Sequence, residues 1–91
     1  QNVMCGHAAA NIIPIVASNR VGEEQENQST MTFFGSSFIA DEYGNIVKSL
    51  DRQEEGFITH AFDLNSINHR RISWGVFRDR RPELYGRITR L

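Results

Sequence analysis

The sequence predicts an α/β fold, and three observations predict it. A nearly continuous apolar run, IIPIVAS at 12–18, has the character of a strand covered on both faces, as in sheets layered against helices. Two further strand-like segments, MTFFGSSFIA at 31–40 and NIVKSLD at 45–51, flank the turn DEYGN. Helical segments stand on either side, an alanine-rich one at 1–11 and an aspartate-led one at 63–74.

The elements are read in chain order as follows. QNVMCGHAAAN (1–11) favours helix through Ala8, Ala9 and Ala10, but no good capping residue precedes it, and Asn2 is a poor substitute. In the run that follows, Pro14 has no N–H to donate and belongs at a strand start or a bulge. Val21 to Thr30 is polar, contains Glu23, Glu24 and Glu26, and is expected to be a loop with an exposed tip. Residues 31–40 are expected to form one strand, with Phe34 and Phe38 on one side and Phe33 and Ile39 on the other. Gly35 inside it marks a bulge or a close backbone approach, and Gly44 suits a positive φ in the hairpin turn. GFITHAF (56–62) is expected to be another strand, so that 12–62 supplies strands with a hairpin. Asp63 caps a helix over 63–74 whose Leu64, Ile67 and Trp74 fall near one face, and that helix should pack on the sheet. The segment 75–91 breaks at Gly75 and Pro82 and carries too much aromatic surface for a free tail; its expected cover is the rest of a subunit or a neighbouring one.

Composition narrows the function classes. At 40% hydrophobic and 23% charged the 91 residues are ordinary for a globular chain and leave room for one domain at most. Cys5 is the only cysteine, which excludes an internal disulfide and a multi-cysteine zinc site and fits a reducing cytoplasm. No apolar run approaches the roughly 20 residues needed to cross a bilayer, so a soluble protein without a membrane partner is expected. The net charge of -1 conceals an asymmetry, because Arg70, Arg71, Arg78, Arg80, Arg81, Arg87 and Arg90 all lie late in the chain. Such a block could bind nucleic acid, but Asp79 and Glu83 interrupt it and no lysine joins it; an arginine-bearing protein interface is the better reading.

No set of residues reads as a catalytic centre. Cys5 and His7 could be nucleophile and base, yet positions two apart on a helix point in different directions. His60 and His69 lack the spacing of a zinc helix, so no metal is expected. Glu23 and Glu24 are best read as solvated loop carboxylates. Asn19 and Arg20 are more informative, because they end a buried strand, where open α/β sheets place their ligand crevices. Ser36 and Ser37 beside Gly35 could offer hydroxyls or amides to a ligand, or do no more than bond their neighbours.

Three stretches, GHAAANIIPIVASNRVGEE, TFFGSSFIADEYGNIV and SWGVFRDRRPELY, resemble the C-terminal part of the nitrilase superfamily of carbon-nitrogen hydrolases, most closely its N-carbamoylputrescine amidase branch, over essentially the whole chain. The resemblance implies the C-terminal part of an α-β-β-α sandwich, in subunits that pair into a homo-oligomer. It implies hydrolysis of a small-molecule amide or carbamoyl substrate by glutamate, lysine and cysteine, with no cofactor. For the branch the products are putrescine, ammonia and carbon dioxide; another amidase of the superfamily or an N-carbamoyl amino acid hydrolase is the alternative. The family's catalytic residues precede the GHAAAN segment and have no counterpart here, since Lys48 lies in the hairpin and Cys5 is outside the nucleophile motif. What the resemblance does carry over is Asn19, Ser36 and Ser37 at the border of the substrate pocket and Arg78, Arg80 and Arg81 in a segment that holds subunits together. The expectation is thus the C-terminal portion of a larger enzyme subunit, inactive alone. A stand-alone structural or interaction module is the reading from a different class.

Overall fold

The computed structural model describes residues 1–90; Leu91, the last residue of the expected interface segment, lies outside them. Helix α1, Asn2–Asn11, starts at Gln1 with no side-chain cap, as its sequence implied. It ends at Ile12, which takes a left-handed conformation (φ 51°) and returns its N–H to the carbonyls of Ala8 and Ala9. A β-branched residue is strained there. Pro14, two residues on, bars any continuation of the helix, and Ile12 is buried.

Strands β1 (Ile15–Ala17), β4 (Phe38–Ala40) and β5 (Ile46–Ser49) make one antiparallel sheet in the order β1-β4-β5. In β1 and β4 the registers Ile15↔Ala40 and Ala17↔Phe38 put these four side chains on one face, where α1 lays Ala8 and Cys5 against them. Ala8 and Ala40 leave so little bulk between helix and sheet that the backbones come close. Gly44 in the β4–β5 turn (φ 83°) shows how close: a Cβ there would lie 2.7 Å from the Cys5 carbonyl oxygen. Asp41 shapes the same turn, its Oδ1 accepting from the Tyr43 and Asn45 amides.

Strands β2 (Val21–Glu26) and β3 (Ser29–Phe34) pair only with each other, in a separate ribbon. Val21 to Thr30 is therefore not the expected loop but most of a hairpin, turned at Asn27 with φ 54°. Its glutamates hid it, because Glu and Gln disfavour strands and an exposed ribbon shows no apolar alternation. Nor is 31–40 one strand. Gly35 (φ 55°) and Ser36 (φ 62°) break it, so β3 and β4 enter different sheets. Phe34 is 65% exposed and Phe38 only 3%, so they do not share a side.

Two other expectations fail for want of a partner. The strand expected at 56–62 is irregular backbone, with no neighbouring strand among the described residues to complete its hydrogen bonds and Phe57 87% exposed. The run 12–18 yields a strand at Ile15–Ala17 only, and its second face is open: Val16 is 71% exposed. Helix α2, Leu64–Trp74, forms as expected, with Asp63 accepting from the Ser66 amide. It does not lie on the sheet. Its residues line open clefts together with the C-terminal end of α1, around Ile12, and its Arg70 stacks 3.9 Å over the Tyr43 ring. Of the expected apolar face only Ile67 is buried, while Leu64 and Trp74 are exposed. A short 3-10 turn at Pro82–Leu84 follows. No helix among the described residues is long and apolar enough to cross a membrane.

Candidate functional site

Asn19 and the Ser36–Ser37 pair, far apart in sequence, come together at the junction between the sheet and the hairpin. After β1 the chain leaves the sheet at Ser18, and before β4 it returns through Gly35 and Ser36, so the two passages run side by side. Side chains tie them. The Asn19 amide N–H donates to Ser37 Oγ at 2.9 Å, and that hydroxyl is 3.3 Å from the Asn19 carbonyl. Asn19 Nδ2 donates to the Gly35 carbonyl at 2.8 Å, while its Oδ1 accepts from the Arg20 amide. Both ends of that side chain are used.

The return passage is also tied to the segment after β5. The Ser36 amide donates to the Asp51 carbonyl at 3.1 Å, and the Leu50 amide to the Ser37 carbonyl at 2.9 Å. A Cβ on Gly35 would stand 2.6 Å from the Arg52 carbonyl oxygen, so only glycine lets the backbones approach here. Ser36 Oγ donates to the Phe34 carbonyl. Phe34, Ser36 and Arg52 line an open cleft of about 610 Å³ together with Gln1, Asn2 and Val3. Sequence reasoning missed Arg52. The glycine signalled that some backbone came close, but not which.

Chemically, the cluster is a frame with few free groups, since its amide and hydroxyls are already bonded. The other candidates stay apart from it. Cys5 is half-buried against the Ala8, Phe38 and Ala40 cluster, whereas His7 is exposed on the same helix. Glu23 and Glu24 are exposed on β2, bonded to Thr32 and Arg20. His60 packs edge-on to Phe62 at 4.7 Å. Among the described residues no group of three or more His, Cys, Asp or Glu side chains could hold a metal ion.

Arg78, Arg80 and Arg81 are exposed and engaged locally. Arg78 donates to Asp79 at 2.9 Å, which holds the Asp79 carboxyl below its usual range and raises the guanidinium. Arg80 caps the Phe77 carbonyl at 2.9 Å and stacks on its ring, and Arg81 pairs with Glu83.

Comparison with known proteins supplies context for this frame. The family described as "Carbon-nitrogen hydrolase" matches residues 1–72. An N-carbamoylputrescine amidase of Oryza sativa is 51% identical over 89 residues, covering 93% of this chain and 30% of that protein. A citrullinase of Francisella tularensis is 47% identical over 90 residues, covering 99% of this chain and 32% of its own length. The crystal structure of a carbon-nitrogen hydrolase from Helicobacter pylori superposes with a TM-score of 0.75 at 35% identity, over 97% of this chain and 31% of the other. The chain thus spans about a third of the length of the relatives it matches.

Proposed function

Because this chain belongs to the carbon-nitrogen hydrolase family, we propose that it is the C-terminal third of an amidase subunit that hydrolyses N-carbamoylputrescine to putrescine, ammonia and carbon dioxide. One observation carries the reading: its high identity, over nearly its whole length, to relatives named for that substrate. The nucleophilic cysteine, the lysine and the glutamate of the reaction then belong to the preceding part of the subunit. Covalent catalysis needs nucleophile, base and oxyanion donor within mutual reach, and Cys5 packs instead against the apolar Ala8, Phe38 and Ala40 cluster. This chain's contribution is the frame of Asn19, Ser36 and Ser37, which fixes where Phe34 and Arg52 stand as pocket wall. The closed hydrogen bonding of that frame supports a positioning role rather than a chemical one.

The citrullinase relative favours a second reading. Citrulline and N-carbamoylputrescine both end in a ureido group on an aliphatic chain, and they differ in the carboxylate that citrulline adds. Ammonia release by the full-length protein separates the two. The expected result is a kcat/KM for N-carbamoylputrescine about tenfold or more above that for citrulline; the opposite ratio assigns the second reading. The 91-residue chain alone is expected to release no ammonia from either compound. Turnover by it, with no longer polypeptide present, would overturn the assignment of catalysis to the rest of the subunit.

A further inference from the structure

Among the residues that line the cleft with Phe34 and Ser36, Arg52 has the only charged side chain, and it makes no ion pair among the described residues. A turn closed at both ends places it. Asp51 Oδ1 accepts from the Gln53 amide at 2.8 Å and the Glu54 amide at 2.6 Å, and Glu54 Oε2 accepts from the Asp51 amide at 3.4 Å. This reciprocal Asp-x-x-Glu pairing is the arrangement of a helix capping box, yet irregular backbone follows it at 55–62. The pairing therefore fixes a turn and not a helix. That turn is fastened to the frame: the Ser36 amide donates to the Asp51 carbonyl at 3.1 Å, and the Arg52 carbonyl oxygen stands 2.6 Å from where a Cβ on Gly35 would lie.

We propose that this turn sets the charge selectivity of the cleft, with Arg52 as a specificity-determining residue and Asp51 as the residue that positions it. The inference rests on the reading of the cleft as part of the substrate pocket. A ureido compound that ends in a bare ammonium, as N-carbamoylputrescine does, is repelled by the guanidinium. Citrulline carries a carboxylate beside its ammonium, so its far end has no net charge and offers the guanidinium a partner. Arg52 thus narrows the preference for N-carbamoylputrescine and keeps compounds of the citrulline type within the enzyme's substrate class. The preference itself then comes from the preceding part of the subunit.

The test is the ratio of kcat/KM for N-carbamoylputrescine to that for citrulline, measured on one sample of each full-length variant so that any loss of folded enzyme cancels. Arg52→Gln is expected to raise the ratio about fivefold, chiefly through KM, and Arg52→Lys, which keeps the charge, to hold it near the parent value. The gap between parent and Arg52→Gln narrows as salt rises from about 50 to 500 mM. Asp51→Ala, which frees the Gln53 and Glu54 amides, moves the ratio the same way, whereas Asp51→Asn, which keeps the Oδ1 acceptor, does not. These two variants remove the same charge, so the difference between them reports the hydrogen bonds alone. A ratio unmoved by Arg52→Gln, an equal shift with Arg52→Lys, or Asp51 variants that agree with each other would each overturn the inference. A parent that prefers citrulline overturns the substrate proposed above, while the shifts still decide this inference. A full-length protein that hydrolyses neither compound overturns both.

Discussion

Gly35 and Asn19 show how much of a site one residue can decide. At Gly35 the left-handed backbone and the Arg52 carbonyl act together, one disfavouring any Cβ and the other leaving it no room. Gly35→Ala is therefore expected to destabilise the full-length protein by about 2–3 kcal/mol, read from its thermal midpoint. A variant as stable as the parent would mean that the junction relaxes and is no frame. Asn19 uses a donor and an acceptor on one short side chain. Asn19→Asp keeps the acceptor for the Arg20 amide and turns the donor towards Gly35 into a second acceptor facing a carbonyl. The expected cost is about 1–3 kcal/mol, with a fall in activity that Asn19→Ala does not exceed. Asp79 gives the opposite lesson. Its lowered carboxyl pKa means that the Arg78 contact holds above the usual aspartate range and is lost as acid protonates it, but both partners are exposed and little stability follows.

Among the elements, the two helices differ in where their ends are fixed. Helix α2 has a local start signal: the Asp63 side chain closes its first turn. Asp63→Ala is expected to cost about 1 kcal/mol in denaturant midpoints of the full-length protein. Helix α1 has no such cap and is held by the sheet it lies on, through Ala8 and the contact of Gly44 with the Cys5 carbonyl. The β2–β3 ribbon was illegible because its alternating faces are both wet, which removes the period of two that marks a half-buried strand. At 56–62 the composition is strand-like, but a strand exists only where another offers hydrogen bonds, and among the described residues none does.

At the scale of the molecule the chain is a slab. Its radius of gyration is 18.5 Å and its extents are 54 × 40 × 15 Å, whereas a compact domain of about 100 residues has a radius near 13 Å. The core consists of a few residues around Ala8, Phe38 and Ala40, and Val16, Phe57, Leu64, Trp74 and Ile88 stand in solvent. Hydrophobic burial on this scale cannot offset the conformational entropy of ordering 90 residues. The isolated chain is expected to bind a hydrophobic dye, to show narrow amide proton dispersion and to melt without a cooperative transition. A sharp transition with wide dispersion would instead favour the reading as an independent module.

The sequence by itself determined the α/β class, the helices at 1–11 and 63–74, the β4–β5 hairpin and the need for glycine at positions 35 and 44, because caps, turns and steric demands act over a few residues. Its resemblance to carbon-nitrogen hydrolases also held, and with it the absence of a catalytic set from these residues remains the proposal to test. Tertiary contacts settle that 31–40 divides between two sheets, that Asn19 closes on Ser37 and Gly35, and that α2 lines a cleft with the end of α1. Those outcomes depend on which distant backbone supplies the partner for each exposed N–H and C=O, and on which apolar surfaces meet. No local pattern of residues encodes either choice.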